Sequence, residues 1–506
     1  DRRIEERCLM RITNTMMMNQ TLRNVSKSKN NLNTSENELA TEKKITRPSD
    51  DPIVAIRALS LRSSLSEINQ YLKHNIPDAE SWLDVTHSSL NNMDGILSDI
   101  FQYCNQGSSD QFTTNDRSAI IDVLKQYRKA IYSEANADYA GRYCFTGYKT
   151  DTSFTFLTST ESDKKYEITE TFKAEAVTTD NIMKNSVDAT KVTGISAEKY
   201  PETRKVYRVR LAYQGCAKAL DSGNDLKFSV TDANGTTDYT PNAVSRSEFE
   251  KMVSDGTFDK ATDSLYYIYD TGEVVMTDDL YTKFSNCDGM SFTYQKDSFN
   301  AGDVRPEMYF NCTDITNPGN PVKYTFESDE SISYTVNFSQ SLQVNTLGRN
   351  ALSYDIGRDI DDMCNALQSV LDIENKIAKL KTMKESGAYS DDEKKNIDTM
   401  IAASEKEHDY ALDNMKKTFS KEITNVKEYQ QTVSLELADL GARQNRLTLT
   451  KDRLSEQYTT FDDLKSRNED VDLEDVVIKF SSAKTLYQAA LSAASSCVQK
   501  SLLDYI

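Results

Sequence analysis

Histidine is nearly missing from this chain: His74, His87 and His408 are the only three in 506 residues. None sits in an HExxH or mixed His/Cys ligand spacing, so surface histidines are the expected reading and no metal ligand is assigned. Stretches of the GxGxxG, GxxxxGK(S/T) and GxSxG kind are missing too, which removes the common dinucleotide, nucleoside triphosphate and serine-hydrolase signatures. The eight cysteines, at 8, 104, 144, 216, 287, 312, 364 and 497, form no CxxC pair. Neither a zinc finger nor a disulfide framework is indicated. Cys104 and Cys497 fall on apolar helix faces, where a small buried thiol is the plain reading. The one tryptophan, Trp82, neighbours an apolar stripe and reads as packing.

Long apolar runs are also lacking, and no stretch of about 18 residues could cross a bilayer as a helix. The opening "DRRIEERCLMRITNT" has no apolar core of a cleaved signal peptide, so ordinary export with such a leader is not expected. Basic residues number 60 against 79 acidic ones, a formal charge of −19. With no basic cluster, neither nucleic acid nor an anionic membrane surface is an expected partner. Adjacent carboxylates such as Asp50/Asp51 and Glu474/Asp475 read as helix capping and solvated faces. A carboxylate pair of the glycosidase kind has no fixed spacing and stays open as a minor alternative.

Glycine and proline are scarce at both ends and gathered in the middle. Nine of 17 Gly and five of eight Pro lie between Gly194 and Pro321, while the segments before Pro48 and after Gly441 hold neither. Long helices flanking a turn-rich centre are expected.

Three apolar stripes support those helices. Met18, Leu22, Val25, Leu32 and Leu39 form a thin one, interrupted by Lys29 and Glu36. A second runs from Leu61 to Cys104 and contains Pro77, which should kink or restart the helix with Asn75 as the stop. The third runs from Ile423 to Phe461, and antiparallel packing of the second on the third is the simplest burial. A further stripe, Leu473, Val476, Phe480, Ala483, Tyr487, Ala490, Ala494 and Cys497, slips to Val498, Leu502 and Ile506. Residues 10–50 carry seven basic against four acidic residues, and residues 466–506 four against six, so the two ends attract. Two thin stripes bury little, and both ends are expected to be loose until neighbours cover them.

Local signals place the helix starts. In "RPSDDPIVA" Ser49 or Asp50 reads as the N-cap, with Asp51 in the first turn and Pro52 where no N–H partner is needed. Ser390–Glu393 is a capping box, and residues 361–400 read as a helical hairpin turning at "ESGAYS". From Phe154 to about Val344 the runs "KYEITETF", "MSFTYQ" and "SISYTVNF" alternate with period two, and "DANGTTDY" and "YDTGEVV" supply Gly-bearing hairpin turns.

Several of these stretches resemble the bacterial flagellin family: "MRITNTMMMNQTLRNV" from Met10, "ELATEKKITRPSDDPIVAIRALSLRSSL", "LADLGARQNRL" and the terminal "YQAALSAASSCVQKSLLDYI". "ANADYAGRYCFTGYKTDTSF" is similar to a GRY-x-F-x-GYKT element found in the members of that family at the hook–filament junction. The likeness covers about the first 150 and last 160 residues, and begins at Met10 instead of Asp1.

The resemblance implies an α+β fold, mainly α, in which long helices from both chain ends pair as an antiparallel coiled coil around an inserted antiparallel β domain. The implied divisions are 1–48 and 467–506 for the inner coiled coil, 49–150 and 346–466 for the helical core, and 151–345 for the outer β-rich part. It further implies a structural, non-enzymatic, extracellular subunit that leaves the cell unfolded through the flagellar type III channel with an export chaperone. Its implied partners are copies of itself, hook-associated protein 1 and flagellin, with no cofactor. The implied polymerisation surface is Met18, Leu22, Val25, Leu32, Leu39, Val476, Phe480, Tyr487, Leu491, Val498, Leu502, Leu503 and Ile506. Some filament proteins of the family carry a metalloprotease insert, which the missing HExxH disfavours here. The alternatives are a bulk filament subunit, an exported protein with an enzymatic or glycan-binding β domain, and a cytosolic coiled-coil scaffold.

Overall fold

The computed structural model describes residues 14–109, 112–157, 163–190, 201–221, 223, 225–233, 235–325, 330–386 and 388–497. In chain order the helices are α1 (Asn14–Thr41), α2 (Pro52–Gln70), α3 (Ile76–Ser108), α4 (Thr114–Glu134), α5 (Arg246–Ser254), α6 (Asp278–Phe284), α7 (Gly348–Ala351), α8 (Asp355–Glu385), α9 (Asp391–Glu469) and α10 (Leu473–Cys497). The fold is α+β and mainly helical, with an antiparallel β insertion. Two compact units emerge, one of residues 1–78, 335–341 and 446–506, the other of 79–334 and 342–445.

In the first unit α1 packs along α10. The end of α1 meets the start of α10 at the Lys43–Asp470 bridge, so the pair is antiparallel. Two expectations are corrected at α2. The cap is Asp51, whose carboxylate accepts from the N–H groups of Ile53 and Val54 at 2.9 and 3.2 Å. Asp50 instead closes the preceding loop, accepting from Arg47 and Thr46 N–H at 2.8 and 3.1 Å, and these bonds hold its carboxyl below the usual range. Nor does the chain stop at Asn75. A five-residue π-turn, Tyr71–Asn75, carries helix into α3 through Pro77. The wider π-turn takes up what an α-helical proline would break.

The helices of the second unit follow the expected stripes. From Ala79 to Cys104 the stripe residues Leu83, Leu90, Met93, Leu97 and Ile100 are buried, as are Val426, Val433 and Leu440 on α9. Gln444 donates to Asp84 at 2.9 Å while Phe112, just beyond α3, meets Phe419 edge-on at 6.1 Å, so α3 and α9 run antiparallel. The Ser390–Glu393 box closes as expected. The helix it opens does not end near Met400 but continues to Glu469. No proline and only Gly441 interrupt that span.

The β insertion holds strands β1 (Asp138–Tyr139), β2 (Arg142–Tyr143), β3 (Tyr166–Phe172), β4 (Val177–Lys184), β5 (Glu202–Arg210), β6 (Phe228–Asp232), β7 (Gly235–Tyr239), β8 (Asn242–Val244), β9 (Leu265–Ile268), β10 (Glu273–Met276), β11 (Gly289–Lys296), β12 (Asn311–Asp314) and β13 (Val322–Tyr324). A last hairpin is β14 (Ser333–Asn337) with β15 (Gln340–Gln343). One sheet is ordered β13-β12-β3-β11-β6-β7 and another β4-β5-β10-β9-β8, antiparallel except for β8 with β9. Strand alternation sorts the second sheet's side chains. Tyr267 and Val274 face a core shared with Ile168, Phe292 and Tyr294 of the first sheet, while Tyr266 and Val275 face Phe249 and Val253 of α5. The hairpin at "YDTGEVV" turns on Gly272 at φ +66°, where a Cβ would lie 1.9 Å from the Tyr213 carbonyl oxygen.

Candidate assembly surface

The joints between the end helices are built from charge. Glu469, at the end of α9, is buried, and its carboxylate accepts from Arg62 of α2 through both oxygens: from Nε at 2.7 Å and from Nη2 at 2.5 Å. Such a fork matches guanidinium to carboxylate in one plane. The hydrogen bond from Arg62 to Glu469 raises the guanidinium's pKa further. Lys43 pairs with Asp470 and lies 3.8 Å from Glu469, and its hydrogen bond lowers the pKa of Asp470. Backbone bonds complete the stitch, Lys44 N–H to Glu469 O at 2.7 Å and Val471 N–H to Glu42 O at 3.2 Å. The loop after α1 is thereby tied to the loop before α10, and the opposite net charges of the two ends act here, at named residues.

From this joint the α1–α10 seam extends. On α10 the least exposed positions are Val476, Phe480, Ala483, Tyr487, Ala490 and Ala494, the expected stripe. On α1 they are Thr21, Val25, Ser28, Leu32, Ser35, Glu38 and Leu39. This corrects the register. Val25, Leu32 and Leu39 lie on the seam as expected, but they alternate with Thr21, Ser28 and Ser35, not with Leu22, Lys29 and Glu36. Small side chains occur on the seam side of both helices and let them approach, and a lysine or glutamate buried there would lose its hydration. The composition of α1 carried that signal in its spaced Ser and Thr residues, which an apolar count passes over.

Leu22 therefore points outward, 57% exposed, in company with Met16, Met17 and Met18. Leu491 is exposed on α10 beside Leu473, Val477, Ile478 and Leu486, and α2 adds Ile53, Ile56 and Leu59. The first unit thus has an apolar seam inside and a second apolar population outside. Of the expected interface residues, Val476 is buried and Val25, Leu32, Leu39, Phe480 and Tyr487 are half-buried, whereas Met18, Leu22 and Leu491 are exposed. Val498, Leu502, Leu503 and Ile506 lie outside the described residues.

The GRYCFTGYKT stretch folds into a compact loop of the second unit. Ala140 and Gly141, both at positive φ, turn β1 back on β2. Arg142 then lies 4.9 Å over the ring of Trp82, which is buried, and donates to the Tyr334 hydroxyl at 2.9 Å. Gly147, at φ +62°, faces Glu330, whose Oε2 lies 1.9 Å from where a Cβ would stand. Glu330 accepts from the Tyr148 N–H at 3.2 Å and pairs with Arg349 at 3.5 Å. The positive φ favours glycine here, and a Cβ would also have to displace the Glu330 side chain.

Among the described residues no group of three His, Cys, Asp or Glu could hold a metal ion. His74 is exposed, His87 bonds Asn91 at 2.9 Å and His408 bonds Glu374 at 3.3 Å. Burial pushes the Cys104 thiol up to about 12 and Cys144 to about 11, the reverse of an activated nucleophile. The Cys497 side chain lies outside the described residues. No described helix is long and apolar enough to cross a membrane.

Residues 12–150 match the bacterial flagellin N-terminal helical region, and residues 423–506 match the bacterial flagellin C-terminal helical region. Both ends of this chain are thus similar to flagellin helical regions. Flagellar hook-associated protein 3 of Escherichia coli (strain K12) is 27% identical over 145 residues, covering 28% of this chain and 45% of that protein. Flagellin of Clostridium tyrobutyricum is 31% identical over 127 residues, covering 25% and 33%. The chain thus spans less than half the length of these curated relatives. A solved structure described as a putative flagellar hook-associated protein from Vibrio parahaemolyticus is 14% identical, covers 83% of this chain and 100% of its own, and has a TM-score of 0.33. The two matched stretches include the whole described seam, the Arg62–Glu469 joint and the GRYCFTGYKT loop.

Proposed function

We propose that this protein is a structural subunit of the bacterial flagellum, standing at the junction of hook and filament as hook-associated protein 3 does, and that it is not an enzyme. The observation that carries this reading is the double apolar character of the paired end helices: one stripe is spent on the α1–α10 seam, and Leu22, Ile478, Leu486 and their neighbours remain for other molecules. Exposed apolar side chains gathered on one element are what a subunit contact would use. In an open assembly each subunit offers such a face to the next, head to tail.

In this reading the partners are further copies of the chain, hook-associated protein 1 on the hook side, flagellin on the filament side and an export chaperone inside the cell. The subunit travels unfolded through the type III channel to its extracellular place, and the end helices finish folding when neighbours cover them, as coupled folding and binding allows. The divisions at 48, 150, 345 and 466 describe an inner coiled coil, a helical core and an outer β part in that assembly. A bulk filament role is the second reading, favoured by the 31% identity to a flagellin.

Copy number separates the two. Fluorescent labelling of the protein on intact cells should give a single short band at the hook end, and deleting the gene should spill flagellin into the medium. Label along the whole filament would replace the junction reading with the bulk one. Normal incorporation of a chain lacking residues 501–506 would remove the assembly role of the C-terminal stripe.

A further inference from the structure

The apolar stripe through α2 and α3 contains one misstep. Leu61, Leu65, Ile68, Leu72, Ile76, Ala79 and Leu83 advance by four, three, four, four, three and four residues, so one residue too many lies between Ile68 and Ile76. The π-turn Tyr71–Asn75 occupies that place, with the Ile76 N–H donating to the Tyr71 carbonyl five residues back. A π-turn absorbs one extra residue, which keeps the stripe on one side of the helix. It also spares Pro77 the clash with a carbonyl that an α-helical path would impose. A π-turn is a weaker ladder than the α-helix on either side, so something has to hold it.

The segment Thr335–Ser341, the tip of the β14–β15 hairpin, belongs to the same compact unit as this turn. Phe338 sets its ring edge-on to Tyr71, centroids 5.6 Å apart at 81°. The Asn75 side-chain amide donates to the Thr335 carbonyl at 2.7 Å. These contacts fall on the first and last residues of the π-turn. Arg453 of α9 in turn donates to the Gln340 side chain at 3.1 Å and secures the tip. The geometry points to residues 335–341 as a clamp that holds residues 71–75 in the π register. Released from it, the segment exchanges between the π-turn and an α-helix broken at Pro77.

The clamp is independent of the junction reading and is tested on the purified full-length chain by amide hydrogen exchange. In the double variant Asn75→Ala, Phe338→Ala, the amides of residues 72–76 should exchange about tenfold faster or more, while those of 55–68 and 83–104 keep their rates. Equal acceleration along α2 and α3, or no change at 72–76, would overturn the proposal. Phe338→Leu keeps the bulk and loses the ring edge, which guards against a double variant that fails to fold. It should give a smaller rise, about threefold, confined to the same amides, and an unchanged rate there counts against the clamp just as firmly.

Discussion

Glu422 and Asp359 are two buried carboxyl groups held by one amide: the Asn425 side-chain nitrogen donates to Glu422 at 2.9 Å and to Asp359 at 3.2 Å. Asp359 also accepts from the Tyr429 hydroxyl and from Arg210, each at 2.6 Å. Burial, and then the charge of Asp359, push Glu422 up to about 9 from an ordinary 4.5. Strand β5, helix α8 and helix α9 meet at this cluster, where burial and the neighbouring carboxylate favour the protonated form of Glu422.

The consequence for pH follows from the direction of that shift. Between about 4.5 and about 9 the folded chain holds a proton on Glu422 that the unfolded chain has lost. Stability from this group is therefore greatest below that window and falls as pH rises through it. Glu422→Gln keeps the neutral shape without the titration. Its unfolding free energy should match the wild type near pH 4 and exceed it at pH 8.5, by on the order of 1 kcal/mol or more. Parallel pH profiles of the two proteins would show that Glu422 is not the proton holder.

A double-mutant cycle on the end-helix joint should return a favourable coupling. Arg62 is 58% exposed at its side chain and Glu469 only 3%. The exposed partner limits the pair through solvent screening, while the two-point geometry and the buried acid raise it above most surface pairs, to about 1 kcal/mol. Denaturant melts of Arg62→Ala, Glu469→Ala and the double variant give the number. A coupling that vanishes at 0.15 M salt would reduce the joint to its backbone bonds.

Gly147→Ala should destabilise the second unit by about 1–3 kcal/mol, because φ +62° and the Glu330 carboxylate both oppose a Cβ. Glu330→Ala removes the carboxylate collision together with its bonds to Tyr148 and Arg349, so the comparison is made in that background, where Gly147→Ala should cost less than in the wild type because only the angle is left. A Gly147→Ala melt within error of the wild type would leave the glycine of this loop without a structural reason.

Much of this was legible from the sequence, and each exception has its own physical reason. The stripes of α3 and α9, the Ser390–Glu393 box and the strands of "KYEITETF" and "MSFTYQ" follow from spacing, since local rules and burial agree there. Pro77 misled because the helix absorbs it in a π-turn, although the doubled four-residue step at Leu72 recorded the extra residue. Leu22 misled because on the seam of α1 Val25, Leu32 and Leu39 alternate with the small polar residues Thr21, Ser28 and Ser35, which an apolar count does not register. Asp50 and Asp51 exchanged roles because both can cap, and only the path of the loop from Thr46 decides between them. The pairing of Arg62 with Glu469 is set by tertiary contact alone, and no local pattern announces it.

The two apolar faces of the end helices predict opposite behaviour for substitutions of the same chemistry. Val476 is 2% exposed in the seam and Ile478, two residues on, is 64% exposed. Val476→Asp buries an unpaired carboxylate between α1 and α10 and should cost the first unit about 2–4 kcal/mol, seen as faster proteolytic loss of both chain ends from the purified monomer than in the wild type. Ile478→Asp with Leu486→Asp changes only solvated positions and should leave the melt within about 0.5 kcal/mol. Yet if those side chains meet neighbouring subunits, the same double variant places two charges in a desolvated contact, and the chain should be exported and then lost to the medium. Quantifying it in the culture supernatant against purified flagella checks this directly. A double variant that is retained at wild-type level would show that assembly uses some other face, and the outer population would be ordinary surface.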